Sequence, residues 1–154
     1  MTKSGEDVSL SEYQALAEFR YQIRRFLHFS EQAARAVGLE PHQHQLLLVL
    51  KGLPDGMPAS IRHIAERLQV QHHSAVELID RLEGLVERSR SEHDRREVFI
   101  KLTPRGERLL RELSLHHRTE LRSAGPSLVR ALNPLIAAGR AKASAAGQGS
   151  ELWR

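Results

Sequence analysis

The sequence predicts a mainly α-helical fold carrying one small β-hairpin, with long helices at both ends of the chain. Three observations predict it. Apolar residues recur at helical spacing along both flanks of the 154-residue chain. Two short helix patterns, 61–68 and 71–83, stand back to back across a tight turn at Gln69-Val70. Downstream, the charged run Arg88-Ser89-Arg90-Ser91-Glu92-His93-Asp94-Arg95-Arg96-Glu97 leads into Val98-Phe99-Ile100-Lys101-Leu102, whose period of two specifies a strand.

Taken in order, Ser9 or Ser11 can cap a first helix that ends near Gly38. Leu16, Phe19, Ile23, Phe26, Ala33 and Val37 form its seam, with Ser30 in the one polar slot; Tyr13, Leu27 and Phe29 widen it beyond one face. A helix apolar on more than one side needs two partners, here its own domain and another subunit. Pro41 suits the first turn of a second helix, 41–51, and five consecutive apolar residues, Leu46 to Leu50, predict its deep burial. Pro54, Asp55-Gly56 and Pro58 mark a loop, and Ser60 is a good N-cap for the third helix. The fourth helix buries Ala75, Leu78, Ile79 and Leu82 and stops at Gly84. Thr103-Pro104 opens a fifth helix with a stripe of Leu109, Leu110, Leu113, Leu115 and Leu121 up to about Ser123. Gly125-Pro126 is expected to break it. A last helix from about Pro126 carries Leu128, Val129, Leu132, Leu135 and Ile136, kinked or split at Pro134, before a fraying end at 139–154.

Composition narrows the function. Apolar residues make up 40% and charged residues 27%, ordinary for a soluble globular domain. The net charge of +4 is concentrated: Arg88 to Arg118 holds nine Arg/Lys against five Asp/Glu, which points to a polyanionic partner. There is no cysteine, which excludes disulfides, thiolate zinc sites and thiol redox sensing. No apolar run approaches the roughly 20 residues that span a bilayer, so no membrane partner is expected and the cytoplasm is the default location. There is no nucleophile–base motif, glycine-rich phosphate loop or carboxylate pair in a recognisable context, so neither an enzyme nor a cofactor is expected.

Helix, turn, helix and basic hairpin in that order form a device for reading double-stranded DNA. The first turn of the second helix should enter the major groove. Gln71 can pair with an adenine edge, Ser74 with a base or phosphate, and His72 and His73 with either. Arg81, nearly three turns on, suits a phosphate or an internal partner. In the hairpin tip, Asp94 can hold one guanidinium of Arg95 and Arg96 while the other enters a minor groove. Arg88, Arg90 and Arg62 are candidates for phosphate contacts.

The runs Ile64-Ala65-Glu66-Arg67-Leu68, Leu78-Ile79-Asp80-Arg81-Leu82, Gly84-Leu85-Val86, Asp94-Arg95-Arg96 and Leu102-Thr103-Pro104-Arg105-Gly106 together resemble the MarR family of bacterial winged-helix regulators. The likeness covers about residues 10–140 and is strongest over 39–106. It implies a winged helix-turn-helix fold in a single domain, 1–154, with a DNA-binding lobe at 41–102. Helices at 10–38 and 104–146 would interlock two copies into a homodimer. It further implies a sequence-specific repressor on a pseudo-palindromic operator, released by a small anionic or aromatic effector. The implied cleft, between dimer helices and lobe, draws on Tyr21, His28, His42, His44 and Gln45. Family members usually carry about two more residues between the positions of Leu82 and Gly84, so the reading helix is expected to end early.

Nine histidines suggest a second reading, a zinc-responsive DNA-binding regulator with ligands from Glu40, His42 and His44 together with His116 or His117, should the second and fifth helices meet. Against it, no HxxxH or HExxH pattern exists, and adjacent helical residues point about 100° apart, so the preferred reading has no metal. A sequence-independent architectural DNA binder is a third, for which a higher net charge is expected.

Overall fold

A computed structural model of the chain describes residues 7–147, with side chains described up to residue 138. The elements are α1 (Leu10–Ala36), α2 (Pro41–Lys51), α3 (Ile61–Leu68), α4 (His72–Asp80), β1 (Val86–Arg90), β2 (Val98–Leu102) and α5 (Pro104–Gly147). They fall into two compact units. Ser30–Arg118 is one, a winged helix-turn-helix lobe; the segments up to Phe29 and from Thr119 are the other.

The lobe is built around side chains that the helical and strand periods place inward. Leu46 and Leu47 of α2, Ile64 of α3, Leu82, and Leu113 of α5 are fully buried. Ala34, Leu39, Ile79, Leu85, Val86, Ile100 and Leu110 complete the cluster. Removing each such leucine, isoleucine or valine side chain from water contributes about 1.5–3 kcal/mol. The hairpin is antiparallel, with Val86 opposite Leu102 and Arg90 opposite Val98. Its root is fixed by the Ile100 N–H, which donates to the Ala59 carbonyl at 2.9 Å.

Local chemistry sets the helix ends. Pro41 opens α2, and Gln43 Oε1 accepts from the Glu40 backbone N–H at 2.8 Å. The Ser60 hydroxyl caps α3 by accepting from the His63 backbone N–H at 3.3 Å. Replacing Ser60 by alanine orphans that donor and should cost about 1 kcal/mol, a fall in Tm of roughly 2–4 °C. A thermal melt at fixed protein concentration checks it, and an unchanged Tm would show that the cap contributes nothing.

The start of α5 is tied to the lobe by a compact set of bonds. The Thr103 N–H donates to the Leu85 carbonyl at 3.0 Å. Its hydroxyl donates to the Gly84 carbonyl at 2.8 Å and accepts from the Gly106 N–H at 3.1 Å. Gly84 has φ +82°, the left-handed region that favours glycine. Gly106 lies so close to Leu85 that any side chain on it would meet the Leu85 carbonyl.

Two helices differ from their expected extents. Gly125-Pro126 does not break α5, and Pro134 does not split it: one helix runs from Pro104 to Gly147 with both prolines inside. Each proline removes one backbone donor, freeing the carbonyls of Arg122 and Arg130. Those two residues and both prolines are exposed, so water can satisfy the freed carbonyls. At the reading helix, α4 ends at Asp80 rather than Glu83, with Arg81 as its C-cap. That is the early end implied by the short Leu82–Glu83–Gly84 connection.

Outside the lobe, α1 exposes Leu10, Tyr13, Leu16, Tyr21 and Leu27, and α5 exposes Leu121, Val129 and Ile136. Among the described residues no helix is long and apolar enough to cross a membrane.

Candidate nucleic-acid interface

The two helices of the reading unit meet across a turn that uses a left-handed residue, Gln69 at φ 55° and ψ 42°. Gln71 then takes the N-cap position of α4 in an extended conformation, yet its side chain does not cap the helix. The side chains of Gln71, His72 and His73 are exposed, and Ser74 is half-buried. No acidic residue occupies the first turn of α4. Its free backbone N–H groups and the positive end of the helix therefore face outward beside three polar side chains, an arrangement suited to an anion or a base edge. The opposite face of α4 buries Ala75 and Ile79, which fixes which side of the helix is presented.

The hairpin is positioned against this helix by charge. Arg88 of β1 donates to Asp80 Oδ1, at the end of α4, at 2.5 Å. Across the strands, Lys101 Nζ lies 3.6 Å from Glu87 Oε1, between directly paired residues. Both ion pairs are about half exposed, so each contributes little to stability. The Asp80–Arg88 pair instead fixes geometry, joining the end of the reading helix to the wing. Arg88, expected from the sequence as a phosphate contact, is engaged within the protein by this pair. Asp80 was not singled out in the sequence; its sign was an acid at the end of a helix followed by a basic strand.

The tip spans 91–97 and is closed by the Ser91 N–H donating to the Glu97 carbonyl at 3.1 Å. Asp94 shapes it differently from the expectation. Its carboxylate accepts the Arg96 backbone N–H at 2.9 Å, making a local turn, and forms no ion pair with Arg95 or Arg96 among the described residues. Both guanidinium groups are exposed, as are those of Arg62, Arg81 and Arg90. The Arg81 carbonyl accepts a 3.5 Å hydrogen bond from Gln43 Nε2, linking α2 to the end of the reading helix.

The residues read as an effector cleft are divided between the two units. Tyr21 and His28 lie on α1 outside the lobe; His42 and Gln45 are exposed on α2, while His44 is buried at 3% exposure. A pocket of about 190 Å³ does open in the lobe, lined by Leu48, Lys51 and Gly52 of α2 and by Glu107, Leu110, Arg111 and Ser114 of α5. Lys51 Nζ and Glu107 Oε1 pair at 2.8 Å at its edge. These residues are 56 positions apart, so no local pattern could have joined them. Of the histidines read as zinc ligands, His44 and His117 meet. Among the described residues, no group of three or more His, Cys, Asp or Glu is placed to hold a metal.

Residues 37–97 match the model of the MarR family. No curated protein matches the chain by sequence. Among solved structures, it is similar to AbsC, a MarR family transcriptional regulator from Streptomyces coelicolor, with 23% identity and a TM-score of 0.67 over 89% of this chain and 99% of that one. A second MarR family regulator from the same organism, solved in complex with DNA, is 18% identical with a TM-score of 0.67, covering 90% of this chain and 91% of its own. BpsR of Bordetella bronchiseptica, whose DNA binding is regulated by 6-hydroxynicotinic acid, is 22% identical with a TM-score of 0.59, covering 82% and 98%.

Proposed function

We propose that this chain, whose winged-helix lobe matches the MarR family model over residues 37–97, is a member of that family and a sequence-specific DNA-binding transcriptional regulator. It acts as a homodimeric repressor on a pseudo-palindromic operator. One observation carries the reading: an uncapped, exposed helix start at Gln71, His72 and His73, on the same lobe as the exposed, unpaired Arg95 and Arg96 of the wing tip. The helix start reads base edges in the major groove, and the arginines reach the backbone or a narrow minor groove. Arg62, Arg81 and Arg90 supply phosphate contacts and Ser74 a further polar contact at the helix start, whereas Arg88 serves chiefly to hold the wing.

The apolar side chains left in water support the homodimer. Leu10, Tyr13, Leu16, Leu27, Leu121, Val129 and Ile136 are far more apolar surface than the flanking helices of a monomer would leave open. A second copy burying them would set two lobes at a fixed spacing, which an inverted repeat in DNA would match. Such a regulator acts on chromosomal DNA in the cytoplasm. The lobe pocket, apolar at Leu48 and Leu110 and carrying Arg111 beside the Lys51–Glu107 ion pair, suits a small aromatic anion as effector. His42 and Gln45 lie on the same helix.

Selection of bound fragments from genomic DNA, followed by gel-shift titration with unrelated competitor DNA, tests the reading. The expected result is one enriched inverted repeat whose complex survives excess competitor. Equal competition by any duplex would replace the specific regulator by a sequence-independent binder. Light scattering should give twice the 17.4 kDa chain mass.

A further inference from the structure

The lobe buries a histidine that DNA reading does not use. His44, in the middle of α2, is 3% exposed. Its ring lies 4.8 Å, centroid to centroid, from that of His117 on α5, with the planes tilted by 40°. His117 is half-buried and held at both nitrogens, Nδ1 at 2.6 Å from the Leu113 carbonyl and Nε2 at 2.7 Å from the Ser30 hydroxyl. A carbonyl only accepts, so Nδ1 carries a hydrogen. The neutral ring then presents a lone pair at Nε2, which receives the Ser30 hydroxyl proton. The α5 backbone thus selects the tautomer, and Ser30 brings α1 into the same cluster.

We infer that His44 and His117 form a proton-sensitive clasp, which holds α2 against α5 and α1 when neutral and loosens the lobe when it takes up a proton. A charge on the His44 ring would be buried and would face a second imidazole. The neighbouring groups offer it no compensation. On α1, Glu31 is paired with Arg35, and on α4, Asp80 is paired with Arg88. Glu40 and His42 of α2, Arg81 beyond α4, and Glu112, His116 and Arg118 of α5 are exposed. Burial first, and the nearby His117 second, push His44 below its ordinary value.

The sign follows from linkage. With its folded value below the unfolded 6.5, His44 leaves stability intact above about pH 6.5. Stability declines as the pH falls from there towards the folded value, and levels off below it. The loosening has a route to the reading helix, because Gln43, next to His44, bonds the Arg81 carbonyl at the end of α4.

Thermal melts of the full chain and its His44→Gln and His117→Gln variants, at one protein concentration between about pH 7.5 and pH 5.5, test the clasp together with an NMR titration of the histidine rings. The wild-type Tm should fall by about 2–4 °C more than that of His44→Gln over this range, since one proton contributes at most about 1.4 kcal/mol there. The other histidines are common to both proteins, so the difference isolates His44. The His44 ring should titrate below 6.5, and His117→Gln should move its midpoint upward. Equal falls in Tm, or a His44 midpoint at or above 6.5, overturn the clasp. If His44→Gln does not fold, the wild-type and His117→Gln titrations decide alone. That the loosening reaches DNA rests on the proposed function. Affinity for a selected operator should fall roughly threefold more in wild type than in His44→Gln, within the tenfold per pH unit that one proton allows. Identical pH profiles for DNA binding overturn that link. Absence of DNA binding at every pH refutes the DNA-binding reading instead, and the melts and titrations still judge the clasp.

Discussion

Replacing Gly106 by alanine will destabilise the protein by about 2–4 kcal/mol, lowering its Tm by roughly 5–15 °C. The new methyl group would overlap the Leu85 carbonyl oxygen and stand 3.0 Å from its carbon. Relaxation is obstructed because the same carbonyl accepts the Thr103 N–H at 3.0 Å, and Leu85 itself is buried at 8% exposure. Moving the strand breaks the bond that starts α5; moving the helix opens the packing of Leu110 and Leu113. Gly125→Ala is the matching control, since nothing lies within 4 Å of the atom it adds. In a helix interior that change should instead stabilise by about 0.5–1 kcal/mol. Melts of the two variants that move in the same direction would show that the Gly106 contact is not what holds the wing to α5.

The second large effect is on DNA. Arg95→Ala combined with Arg96→Ala should weaken operator binding by roughly 30- to 100-fold and lower the salt dependence by about two charges. The dimer and its Tm should be unchanged, because both side chains are exposed and neither guanidinium holds a partner in the tip. Asp94 shapes the tip through the backbone of Arg96, a bond that survives both substitutions. A gel-shift titration at several salt concentrations reads both quantities. Unchanged affinity would remove the wing tip from the interface and leave recognition to α4 alone.

Signals that act within a few residues were legible in the sequence. Pro41 and Gly52 bracket α2, Ser60 announces α3, and the alternation from Val98 to Leu102 gives β2 its full extent. The outward face of α4 was equally plain, because burial of Ala75 and Ile79 leaves only one side exposed. The continuity of α5 through Pro126 and Pro134 was not legible. A proline costs its helix one local bond, and whether the helix survives depends on solvent access at the freed carbonyl and on the helix to either side. The pocket and the Ser30–His117 bond were out of reach for a different reason. Ser30 and His117 lie 87 positions apart, and no period or spacing encodes a meeting made only by tertiary packing. Asp94 shows a third limit: its place in the tip was evident, but a carboxylate beside two arginines satisfied a backbone donor instead.

The uncapped start of α4 has a consequence for how such a protein diversifies. Gln71, His72 and His73 make no side-chain hydrogen bond within the described chain and bury little surface. Substitutions there are therefore close to neutral for folding, within the roughly ±0.5 kcal/mol typical of exposed positions. On the proposed function, the residues that choose the operator stand where the scaffold does not depend on them. A duplicated copy could drift to a new DNA target one residue at a time, remaining folded at every step, while Gly106, Thr103 and Leu85 hold the frame.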